Sequence, residues 1–89
     1  MNTSKTEIRI LSVAVTKSQL VARFSVGREV RNPLKWYPRL LKAGVKDRKT
    51  YQISGEGYGV HWAKLDEDLS AKGIAEGIPS FEYRALARN

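Results

Sequence analysis

The chain has no cysteine, which excludes disulfides and thiolate metal sites and fits a reducing compartment. No apolar run approaches the ~18 residues needed to span a bilayer. Met1–Lys5 leads into a charged, alternating stretch instead of an apolar core, so no secretory signal is expected. A cytoplasmic protein with no membrane association follows as the expectation. The only histidine is His61. Gly-x-Ser-x-Gly, His-Glu-x-x-His and Cys–His pairs are absent, so neither an enzyme nor a cofactor is expected. Acidic residues are scarce in the first half. Residues 1–54 hold 12 Lys/Arg and 3 Asp/Glu (+9), and residues 55–89 hold 4 and 6 (−2), giving the net charge of +7. Such asymmetry suits an acidic partner or nucleic acid, although lysine-rich solvated faces produce it too.

Eighty-nine residues make one domain, taken as residues 1–79 with 80–89 as a tail or frayed helix. Leu11, Val13 and Val15 alternate, while Ile8 and Ile10 fall on the other parity. A strand over Glu7–Val15 therefore implies a bulge near Leu11 or burial on both faces. Leu20, Ala22, Phe24 and Val26 form the cleanest alternation, and Gly27 turns the chain into a short strand at Arg28–Arg31. Asn32 is placed as a helix cap, with a turn over Pro33–Trp36 and a helix restarting at Pro38 and stopping at Gly44. Val45–Lys49 predicts another helical turn. Tyr51–Ser54 and Tyr58–Trp62 predict a hairpin around Gly55–Gly57, with Gly59 marking a bulge or close backbone approach. Ser70 caps a last short helix, with Leu69 and Ile74 as its staple, Gly77 as its end and Pro79 as its stop. The expected fold is α+β: one antiparallel sheet of four to five strands, built as a meander, a short helix, a hairpin and a C-terminal helix.

His61 with Asp66 and Asp68 has two of the residue types that ligate metals, but the spacing matches no metal or general-base motif. Asp66-Glu67-Asp68 lacks the calcium-loop pattern. Carboxylates ahead of a helix N-terminus are favoured by its dipole, and a docking surface is the next reading. The glycines of Gly55–Gly59 lack the Gly-Lys-Ser/Thr of a phosphate loop. Trp36, Tyr37 and Trp62 could stack on bases or ligands, but large aromatics in so short a chain are more often core. His61, Asp66 and Glu67 are thus the candidate partner-binding residues. A small-molecule or metal site around His61, Trp62 and Asp66 is a weaker alternative. Arg9, Arg23, Arg28 and Arg31 are the candidates for phosphate contact in a nucleic-acid reading.

Asn32–Leu40, Gly57–Trp62 and Leu65–Ser70 resemble domain-of-unknown-function family 2442, a group of small bacterial proteins. The resemblance runs from about Ile8 to Gly77. Its most specific parts are Pro33-Leu34-Lys35-Trp36 and Trp62 followed by Leu65-Asp66-Glu67-Asp68. Ala63 stands where a proline is more usual. The resemblance implies the same α+β architecture and no catalytic residue. Some members are encoded beside another small protein, which implies an antitoxin-like pairing. The leading expectation is a non-enzymatic protein-interaction or regulatory domain, with nucleic-acid contact as the alternative.

Overall fold

The computed structural model describes residues 8–87. Expectations for Met1–Lys5, Glu7, Arg88 and Asn89 lie outside the described residues. Strands β1 (Ile10–Val15), β2 (Gln19–Phe24) and β3 (Glu29–Pro33) form an antiparallel meander in that order. Pairing shifts between Ile10 and Ser12, so of the two readings of the parity clash the bulge at Leu11 is the one the fold takes. The extra residue resets the alternation. Ile10 and Val13 both enter the core, while Leu11, expected on the Val13 face, is turned out and 63% exposed. Leu20, Ala22 and Phe24 are buried on β2. Val26, counted with them, lies beyond the strand in the turn and is exposed.

Asn32 does not cap a helix. It pairs with Leu20 inside β3, and the inward parity carries its amide into the core. There Nδ2 donates to the Tyr37 hydroxyl at 2.9 Å and to the Ile74 carbonyl at 3.1 Å. A 3₁₀ turn over Leu34–Trp36 leads to α1 (Pro38–Lys42), with Pro38 in its tolerated first position. Gly44 is not a left-handed stop. Its backbone is extended and it precedes α2 (Val45–Lys49). The end of α1 is closed instead by Arg48, which donates to the carbonyls of Leu40 and Leu41, both at 3.0 Å.

Strands β4 (Gln52–Ser54), β5 (Gly59–Trp62) and β6 (Glu67–Ser70) form a second antiparallel sheet. The single sheet of four to five strands is therefore two three-stranded sheets. They meet where β1 approaches β4. There the Val13 N–H is taken by the Tyr51 hydroxyl at 3.2 Å rather than by a β4 carbonyl. That side-chain bond joins the sheets without a backbone ladder. β6 occupies the acidic cluster expected ahead of a helix. Gly59 is the close approach foreseen: a Cβ there would lie 3.1 Å from Ser54 Oγ and 3.3 Å from the Leu69 carbonyl.

Ser70 caps α3 (Ala71–Ala75), its Oγ accepting the Gly73 N–H at 2.9 Å. Gly77, with φ +72°, ends it in a Schellman pattern, Ile78 N–H to the Gly73 carbonyl and Gly77 N–H to the Ile74 carbonyl. Helix α4 (Phe81–Ala87) follows. Ser80 starts it, accepting the Tyr83 N–H and donating its hydroxyl to the Trp36 carbonyl at 2.7 Å. The core is built on Trp62, Tyr37, Phe24, Leu20, Leu34, Leu40, Ile74 and Val60. Trp62 is fully buried, and its indole N–H donates to the Arg48 carbonyl at 3.0 Å.

Candidate functional site

The predicted trio His61, Asp66 and Glu67 is divided by the pleat. His61 lies opposite Asp68, and Trp62 opposite Glu67. Directly opposed residues share a face, so His61 and Asp68 point outward while Glu67 turns toward Trp62. His61 Nδ1 meets Asp68 Oδ1 at 2.8 Å. Asp66 sits in the tight turn between β5 and β6 with φ +52°. Its partner is Arg39, whose guanidinium donates to the Asp66 carbonyl at 2.6 Å and lies 3.4 Å from its carboxylate.

Arg39 is the hub, and no motif in the sequence marks it. It also pairs with Glu82 of α4 at 3.1 Å, joining α1, the β5–β6 turn and α4. Glu67 stands beside it, and its Oε2 is buried with no hydrogen-bond partner among the described residues. Burial pushes the Glu67 carboxyl above its ordinary range, and the Arg39 charge only partly offsets this. Tyr37 is also pushed up by burial, against its bond from Asn32. Among the described residues, no three His, Cys, Asp or Glu converge to hold a metal ion.

The four arginines are carried by strands of the first sheet and the segments that flank them. Arg23 and Arg31 share the outer face of the first sheet, where Arg31 is bound to Glu29 at 2.7 Å. Arg28 lies in the turn before β3. Arg9 stacks over Tyr58, 5.0 Å from the ring centroid, donates to its hydroxyl at 3.1 Å and approaches Glu56.

Two grooves border sheet edges. One, with a volume of about 470 Å³, follows β6 below α3 and α4, with Leu69, Ile78, Phe81 and Arg84 among its walls. The other, about 380 Å³, separates β1 from α2. Neither is marked by a sequence motif. A usable signal for the second is Val45, an apolar residue set among Lys46, Arg48 and Lys49. No helix among the described residues is long and apolar enough to cross a membrane.

No curated protein matches the chain. Two solved structures resemble it closely in shape. A protein of unknown function from Rhodospirillum rubrum is 27% identical with a TM-score of 0.71, covering 85% of this chain and 94% of that one. An uncharacterised protein from Chromobacterium violaceum is 24% identical with a TM-score of 0.70, covering 89% of this chain and 75% of that one, and shares the fold. Residues 10–80 match the family described as "Protein of unknown function (DUF2442)", so the chain belongs to that family.

Proposed function

We propose that this chain is a non-enzymatic protein-interaction module, the antitoxin-like regulatory partner of a small protein encoded beside it. One observation carries the reading. Each sheet ends in an edge strand bordered by a groove, and exposed apolar side chains stand at both grooves, Val45 at 65% and Phe81 at 77%. Edge strands beside exposed apolar surface are ready templates for another chain. The antitoxin-like part rests on the family's gene arrangement, and a cytoplasmic location goes with it. Co-expression with the adjacent gene product, followed by affinity capture, is expected to yield a stable complex. Absence of a complex at micromolar concentration counts against the reading. Binding to random duplex DNA across a salt series measures the nucleic-acid alternative, and a slope near zero removes it.

A further inference from the structure

β1 is an edge strand whose edge is only partly covered. The Val13 N–H points away from β2, toward Tyr51. In an antiparallel pair alternate residues turn their main-chain groups to opposite sides. Val15 therefore directs its N–H and carbonyl the same way. The inward bond from Thr16 N–H to the Gln19 carbonyl, 2.8 Å, sets the same phase. What Val15 faces is the groove of about 380 Å³ lined by Val13, Ala14, Val45, Arg48, Lys49 and Tyr51. Val45 stands 65% exposed on the far wall. The lining holds two cations and no acid. Neither Arg48 nor Lys49 has a carboxylate partner among the described residues.

These features select one occupant. A second copy would bring the same basic rim, in a chain of net charge +7, against itself. A nucleic-acid backbone would satisfy the cations, but it has neither strand-like N–H and carbonyl groups for Val15 nor aliphatic side chains for Val45. We propose that the groove between β1 and α2 binds an extended acidic segment of a partner protein as an added strand on β1. Its main chain pairs at Val15, its apolar side chains cover Val45, and its carboxylates meet Lys49 and Arg48. This deepens the interaction reading above and rests on it.

The probe is a fluorescein-labelled peptide of alternating Val and Glu, matched to the period of a strand. It is titrated with the full chain by anisotropy, beside a peptide of alternating Val and Lys. The Val–Glu peptide is expected to bind, more weakly as salt rises, and the Val–Lys peptide is expected not to. Val45→Glu and Lys49→Glu each weaken binding by about tenfold or more, whereas Lys64→Glu, in the turn after β5, leaves it unchanged. All three positions are exposed, and circular dichroism checks that the variants fold. Equal binding of the two peptides, or full binding by both groove variants, overturns the proposal. Capture of the adjacent gene product without Val–Glu binding overturns the groove and leaves the interaction reading standing. Val–Glu binding without capture supports the groove and rejects that gene product as its partner.

Discussion

In the β1–β2–β3 sheet, side chains set the register. Leu20, Ala22 and Phe24 supply an unbroken inward row, and a slip of one residue would expose all of them. In the β4–β5–β6 sheet the backbone carries more of that burden. Gly55, Glu56 and Gly57 take positive φ in succession, and Asp66 repeats this at the next turn. Its inward side chains are few: Ile53, Val60, Leu69 and, above all, Trp62. The lesson is that a short sheet with little alternation holds its place through a single large anchor and tight turns that fit one register.

Removing the anchor tests this most severely. Trp62→Ala should cost about 5 kcal/mol, the upper end for a buried aromatic, because it also strips the Arg48 carbonyl of its donor. Phe24→Ala in the first sheet should cost about 3 kcal/mol. Urea unfolding of the two variants checks the order. The turns come next. At Gly57 a Cβ would sit 2.8 Å from Arg9 Cβ and 3.2 Å from the Ile10 carbonyl, with φ +100°. Gly57→Ala should cost about 2–3 kcal/mol. Gly27→Ala, at φ +85° with open space around it, should cost about 1 kcal/mol. Equal losses would show that turn geometry matters no more in one sheet than in the other.

A smaller effect concerns pH. Glu67 has a folded pKa above its unfolded one, so the native state binds more proton across that interval. Stability then falls as pH rises from the ordinary carboxylate range through the raised value. Glu67→Gln should flatten that fall, as read from thermal midpoints across the range. The smallest change belongs to Arg39→Ala. The Arg39 side chain is 43% exposed, and screened pairs of this kind add little to global stability. The expected result is an unchanged unfolding midpoint with faster amide exchange confined to α4 and the β5–β6 turn.

The same contrast explains what was legible in the sequence. Conflicting parities at Ile10 and Leu11 announced the bulge, and Ser70, Gly77 and Pro79 bounded α3 through local chemistry. β6 was hidden because Glu67-Asp68-Leu69-Ser70 has one apolar side chain and becomes a strand only by pairing with β5. Asn32 reads as a cap in the sequence because the same residue type suits both roles, and only the fold brings Ile74 to its amide. The His61–Asp68 pair required the β5–β6 register. The groove required knowing that α2 stands off β1 with Val45 uncovered.

Amide hydrogen exchange of the full chain, alone and with the adjacent gene product, tests the central claim most directly. The interaction reading predicts a complex with new protection along a sheet edge and its groove, and the β1–α2 groove proposal places that protection at Val15 on β1 and along Val45–Lys49, with β2 unchanged. No complex would contradict the interaction reading, and protection gained only at sites away from β1 and α2 would contradict the groove.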